Sequence, residues 1–171
     1  MIITGGNYKG RKVQAPDERI TRPTLSKVRQ GVFNTLYSLI GDFEGKTFLD
    51  LFGGSGVMGL EALSRGFSDV VVFEKNPKVA QILKKNYYEL GLKPNLKIGD
   101  SIKLLETTNL SFDVIYIDPP YYSGIYEEVL DKIRTKGLIV VEHSEVLSQN
   151  RLSLIKEKVY GGKHISFFLE E

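Results

Sequence analysis

An α/β fold, a mostly parallel sheet with helices on both faces, is predicted by three features of the sequence. From Lys46 onward, short β-branched or aromatic runs alternate with stretches of helical periodicity, the pattern of successive strand–helix–strand units. Helix punctuation supports this: Gly66 and Gly91 follow two helical stretches, where C-terminal caps favour glycine, and Pro77 opens another at a position that tolerates it. The alternation breaks near the end, where two extended runs flank Gly161-Gly162. The sheet should therefore finish in a hairpin whose last strand is antiparallel to its neighbours.

Taken in order, residues 1–40 read as an N-terminal extension and residues 41–171 as one compact α/β unit. MIITGG and RKVQAP are short extended pieces joined through Asn7 to Gly10. Thr24 is placed to cap a helix whose apolar positions, Leu25, Val28, Val32, Leu36 and Leu39, make one buried stripe, leaving Arg22, Lys27 and Arg29 on other faces. Strands follow at Thr47 to Leu51, Val70 to Glu74, Leu96 to Ile98, Phe112 to Asp118 and Leu138 to Glu142. Helices lie between them at Gly56 to Arg65, Pro77 to Leu90, Ser101 to Glu106 and Tyr126 to Arg134, and the hairpin runs from Leu152 to Tyr160 and from Lys163 to Glu170.

With 171 residues the chain fits a single domain, and 42% hydrophobic with 26% charged residues suits a packed core rather than disorder. The absence of cysteine excludes a disulfide framework and thiolate-bound metals, and two histidines cannot build a His-rich site. No metal is predicted. No apolar run approaches the roughly 18 residues that span a bilayer, and MIITGGNYKGRK does not read as a signal peptide, so a cytoplasmic protein is expected. The net charge of +2 conceals an asymmetry: residues 1–31 hold seven Lys or Arg against two acids, +5, which leaves −3 for the rest. A cation-rich segment on a mildly acidic body is a plausible footprint for a polyanion, although a charge run taken alone is more often a solvated face.

Asp50-Leu-Phe-Gly-Gly-Ser-Gly-Val-Met-Gly59 is the most informative stretch. Gly54, Gly56 and Gly59 satisfy G-x-G-x-x-G, and Glu74 follows at the end of the next strand, where a carboxylate can accept from both hydroxyls of a ribose. The same spacing describes dinucleotide sites, so a nicotinamide-dependent oxidoreductase is a rival reading. Asp50 favours the alternative, because a carboxylate beside the glycine turn repels a pyrophosphate but suits the ammonium and sulfonium of S-adenosylmethionine. Asp100, ending the third strand, either accepts from an adenine amino group or caps the following helix, and the two roles are compatible.

Asp118-Pro-Pro-Tyr121 stands at the end of the fourth strand. Consecutive prolines fix the chain and remove donors, leaving the Asp118 carboxylate and the Pro119 carbonyl as rigid acceptors. Tyr121 offers a face for a base. Two acceptors match the two hydrogens of an exocyclic amine and favour a pyramidal nitrogen whose lone pair can attack a methyl group. His143 and Tyr122 flank this edge and are candidates for substrate contact or for packing.

Asp50 to Gly59, Glu74, Asp100 and Asp118 to Tyr121 together resemble the class I S-adenosylmethionine-dependent methyltransferases that modify exocyclic amino groups. Gly5-Gly6, Lys9-Gly10-Arg11, Arg22-Pro-Thr24, Arg29 and Phe33-Asn34-Thr-Leu36 narrow the resemblance to the RsmD family, which methylates the N2 amino group of a guanine in 16S rRNA of the bacterial small ribosomal subunit, the guanine its naming numbers 966. It covers nearly the whole chain.

The resemblance implies a Rossmann-like, seven-stranded sheet with an antiparallel last strand, preceded by an extension that helps bind RNA. It places catalysis on Asp118, Pro119, Pro120 and Tyr121, and cofactor contacts on Asp50, Gly53, Gly54, Gly56, Glu74 and Asp100. Lys9, Arg11, Lys12, Arg22 and Arg29 become RNA-facing cations.

The implied partner is 16S rRNA in the small subunit or an assembly intermediate, and the expected state is a monomer. Two departures stand out: an arginine expected near the start is missing, and Phe52-Gly53-Gly54 replaces the common Phe-Ala-Gly, an exchange expected to be harmless. An adenine N6-methyltransferase would use the same amino-group chemistry, and a non-enzymatic RNA-binding module would explain the basic segment but not the cofactor motifs.

Overall fold

A computed structural model of the chain describes residues 1–17, 25–109, 111–120 and 124–170. Helix α1 (Ser26–Ile40) precedes five mutually parallel strands, β1 (Thr47–Asp50), β2 (Asp69–Glu74), β3 (Asn95–Ile98), β4 (Val114–Ile117) and β5 (Leu138–His143). Their crossovers carry α2 (Val57–Ser64), α3 (Pro77–Glu89), α4 (Ser101–Thr107) and α5 (Ile125–Lys132). The final hairpin is β6 (Leu152–Tyr160) and β7 (Lys163–Glu170), and the seven-stranded sheet has the order β3-β2-β1-β4-β5-β7-β6. β7 is inserted between β5 and β6 and is antiparallel to both, as the two-glycine turn requires.

Side chains alternate across the sheet, so continuous apolar runs such as Val70 to Phe73 and Val114 to Ile117 fill two cores. Phe48, Val70, Val72, Val114, Tyr116, Val140 and Phe167 face one layer with α1, α2 and α3. Leu49, Val71, Phe73, Ile115, Ile117, Ile139 and Phe168 face the other with α4 and α5. Ile3, Val13, Val28, Val32, Phe33 and Leu36 belong to the first core, so the described parts of residues 1–40 contribute to the hydrophobic interior on this face of the sheet. No helix among the described residues is long and apolar enough to cross a membrane.

Several boundaries differ from the sequence reading for local reasons. β4 starts at Val114 because the Asp113 carboxylate accepts from the Thr47 amide at 2.8 Å and its carbonyl from the Leu138 amide at 2.8 Å, which ends regular pairing there. It stops before Asp118, at the prolines. The predicted stripe on α1 holds at Val28, Val32 and Leu36 but not at its ends, since Leu25 is 70% exposed and Leu39 37%. Leu25 occupies the cap position without a side-chain bond, and Thr24 lies outside the described residues.

Residues 1–13 form a hairpin closed by the Ile2–Lys12 bridge, and its turn packs at the far ends of two helices. The Asn7 amide donates to the Ser64 carbonyl and the Tyr8 amide to the Ser64 hydroxyl, at the end of α2, while the Arg11 guanidinium reaches the Glu89 carbonyl at the end of α3. Both helices begin at the carboxyl edge of the sheet. The turn therefore sits at the opposite end, roughly 12–20 Å away by the rise of these helices.

Candidate active site

The strand order reverses between β1 and β4, the crevice where open α/β sheets bind ligands at their carboxyl edge. Asp50 ends β1 and Asp118 follows β4, so the cofactor and reacting motifs read from the sequence meet at one place. Their meeting follows from topology, since 68 residues separate them in the chain.

The glycine turn is closed by backbone bonds, and its glycines answer to close contacts or left-handed backbone. The Gly53 amide donates to the Phe73 carbonyl at 2.8 Å and the Gly56 amide to the Gly53 carbonyl at 2.9 Å. Gly54 and Gly56 adopt φ of 57° and 83°, a left-handed conformation that favours glycine. At Gly56 a Cβ would stand 2.8 Å from Leu83. Gly53 corrects an expectation: a Cβ there would stand 2.2 Å from Cγ1 of the fully buried Val72, so alanine is not harmless in this chain.

Glu74 organises two turns at once. One carboxylate oxygen accepts from the Gly54 amide at 2.9 Å and the other from the Asn76 amide at 2.7 Å, which leaves further lone pairs on each for ribose hydroxyls. Asp100 caps α4, accepting from the Ile102 and Lys103 amides at 3.0 and 3.1 Å, with Lys75 3.7 Å from its other oxygen. Capping and an adenine contact remain compatible in this geometry.

Asp50 is 1% exposed and accepts one bond, from the Phe52 amide at 3.2 Å. Burial, with smaller contributions from the fields of Glu74 and Glu142, pushes its carboxyl up to about 7, against the Phe52 bond that lowers it. Among the described residues no cation pairs with it. A carboxyl kept in this environment is suited to a ligand that brings its own positive charge.

Pro119 is buried and Pro120 exposed behind a half-buried Asp118; Tyr121 and Tyr122 lie outside the described residues. Under this motif is a network that the sequence did not disclose. Glu142, 3% exposed at the end of β5, accepts from the Tyr116 hydroxyl, its main-chain carbonyl accepts from the Tyr126 hydroxyl at 2.8 Å, and Lys163 lies 3.4 Å from its carboxylate. Burial and the nearby acids, Glu142 and Asp118 foremost, hold the Tyr116 hydroxyl protonated. His143 is 6% exposed with both ring nitrogens engaged, Nδ1 with the Glu145 carbonyl and Nε2 with the Ser166 hydroxyl, each at 2.7 Å. Burial lowers its pKa, and both ring nitrogens are used within the fold.

The predicted cations separate. Lys9, Arg11 and Lys12 are exposed on the N-terminal hairpin, Lys9 and Arg11 at the end away from Asp118, and Arg22 lies outside the described residues. Arg29 is a correction: it is fully buried, its Nε 3.3 Å from Glu61 Oε1, its Nη2 donating to the Ile2 carbonyl at 2.6 Å and to the Ser26 hydroxyl at 3.2 Å. Glu61, also fully buried, accepts further from Thr4 and Arg65. A cation this enclosed holds the extension to α2 and does not face RNA.

The family model described as conserved hypothetical protein 95 matches residues 1–169. Ribosomal RNA small subunit methyltransferase D of Escherichia coli K12 is 36% identical over 93% of this chain and 84% of its own length. The namesake from Buchnera aphidicola of Acyrthosiphon pisum is 37% identical over 81% and 72%. Among solved structures, the yhhF protein of Escherichia coli superposes with a TM-score of 0.85 at 28% identity, covering 100% of this chain and 98% of its own. The sheet order, the antiparallel last strand and these likenesses identify a Rossmann-like class I methyltransferase fold, and the chain belongs to the RsmD family.

Proposed function

We propose that this protein transfers a methyl group from S-adenosylmethionine to the exocyclic N2 amino group of a guanine in 16S rRNA, within the small ribosomal subunit or an assembly intermediate. The observation that carries the reading is the buried Asp50 carboxyl at the strand end beside the glycine turn, with no cation paired to it among the described residues. Asp50 would take the ammonium group, Glu74 the ribose hydroxyls and Asp100 the adenine amino group. Gly53, Gly54 and Gly56 let the backbone approach closely. S-adenosylmethionine supplies an electrophilic methyl group on a sulfonium, and no metal is assigned a role.

Asp118 and the Pro119 carbonyl accept the two hydrogens of the target amine and direct its lone pair at the methyl group, with Pro120 fixing the chain and Tyr121 stacking on the base. With the sulfonium supplying the methyl group and leaving as a neutral thioether, Asp118 or water would take the proton that the methylated nitrogen releases. Lys9, Arg11, Lys12 and Arg22 hold phosphates of an RNA large enough to reach past the reacting edge. The protein acts as a cytoplasmic monomer in this reading.

The test uses methyl-labelled S-adenosylmethionine with small subunits, or their RNA, from cells lacking the modification, followed by nucleoside analysis. Labelled N2-methylguanosine is the expected product. Labelled N6-methyladenosine would refute the choice of base, and no transfer to either preparation would refute the substrate.

A further inference from the structure

Asn86 lies on α3, 1% exposed, with three hydrogen bonds from one side-chain amide. Its oxygen accepts from the Gln14 amide at 2.9 Å, and its nitrogen donates to the Gln14 carbonyl and to the Ser55 carbonyl, both at 2.9 Å. The side chain thus pairs with Gln14 as a neighbouring strand would, and uses its second N–H on the residue between Gly54 and Gly56. Aspartate lacks the donors, and glutamine is longer by a methylene.

The two segments that it joins have different functions in the site. Ser55 belongs to the glycine turn, held on its other side by the Glu74 bond to Gly54. Gln14 directly follows the N-terminal hairpin and precedes buried Pro16. The neighbouring residue on α3 shows how closely this helix fits the turn: a Cβ on Gly56 would stand 3.1 Å from Cε1 of Tyr87.

We propose that Asn86 is a positioning residue that couples the glycine turn to the N-terminal strand, so that binding at the turn steadies residues 1–14 and the strand in turn holds the turn ready. This rests on the cofactor reading above but not on the identity of the RNA. Linkage makes the coupling reciprocal: whatever S-adenosylhomocysteine gains from an ordered strand, the strand gains from bound S-adenosylhomocysteine.

Backbone hydrogen exchange of residues 1–14, with and without saturating S-adenosylhomocysteine, tests it alongside direct titration of the ligand. In the wild type the ligand should slow exchange there severalfold. In Asn86→Asp it should bind roughly tenfold more weakly, as the loss of charge-neutral buried bonds implies, and saturation should leave exchange of residues 1–14 unchanged. Gln14→Pro, at an exposed position, removes the donor to Asn86 and keeps the Ser55 bond. It should lose most of the protection and weaken ligand binding by the same severalfold factor, as reciprocity requires, and it carries the test if Asn86→Asp does not fold.

Ligand binding by the wild type without any change in residues 1–14 would overturn the coupling. So would a folded Asn86→Asp protein with wild-type affinity and protection. Failure of the wild type to bind S-adenosylhomocysteine at all would instead refute the cofactor assignment, and the coupling with it.

Discussion

Replacing Asp50 with asparagine should stabilise the unliganded protein and weaken cofactor binding. The carboxyl goes from 3.8 when unfolded to about 7 in the fold, driven first by burial. Between those values the folded chain holds one more proton than the unfolded chain, so unliganded stability falls as pH rises through that window. At about 1.4 kcal/mol per pH unit, the ionised carboxyl costs up to about 4 kcal/mol above neutrality, and about half of that once water and side chains relax. Asparagine keeps the acceptor for the Phe52 amide and carries no charge.

For a domain of this size roughly 2 kcal/mol raises Tm by about 4–8 °C. Thermal melts near pH 8 should show that gain for Asp50→Asn, and melts near pH 4 should show almost none. Titration near pH 8 should show S-adenosylmethionine binding about ten- to a hundredfold more weakly, since a charge-assisted bond to its ammonium is lost. Wild-type affinity should likewise fall as pH drops below about 7 and Asp50 takes up a proton. Equal Tm for the two proteins near pH 8, or the same gain at both pH values, would refute the reasoning.

Gly53→Ala should cost about 1–3 kcal/mol by urea unfolding, because its Cβ must displace the packed Val72. In a Val72→Ala background that extra cost should disappear, which a double-mutant cycle reads directly. Arg29→Ala should cost about 3–5 kcal/mol by leaving Glu61 buried with its charge poorly compensated, yet in chains that still fold the salt dependence of RNA binding should be unchanged. Replacing Lys9, Arg11 and Lys12 together with glutamine should do the reverse, sparing stability to within about 1 kcal/mol and reducing the log–log salt slope of RNA binding by roughly 2.

The sheet was legible because the physical signals are local: a run such as Val70 to Phe73 can only be a strand buried on both faces, and Gly161-Gly162 can only turn one long strand into the next. Asp50, Glu74 and Asp118 were legible because each ends such a run, and parallel topology sends all strand ends to one edge. Arg29 misled because its partner Glu61 is 32 residues away and on another helix, so a cation in a basic segment reads as exposed. Glu142 escaped for a similar reason, its hydroxyl partner Tyr116 being visible only once β4 and β5 pair. Gly53 shows a finer limit, since whether alanine fits depends on one methyl group of Val72 across the strand pair. The boundary errors at β4 and α1 come from Asp113 and from solvent at the helix ends, neither of which a hydrophobic pattern registers.

The division of labour along the carboxyl edge is the central claim, with Asp50 and Glu74 holding the cofactor and Asp118 acting on the amine. Asp118→Ala tests it most directly when S-adenosylhomocysteine affinity and single-turnover methyl transfer to small-subunit RNA are measured on the same preparation. The account predicts affinity within about threefold of wild type and transfer slower by about 10²–10³-fold, the loss typical of a removed transition-state contact. Transfer at the wild-type rate, or loss of cofactor binding along with transfer, would contradict it.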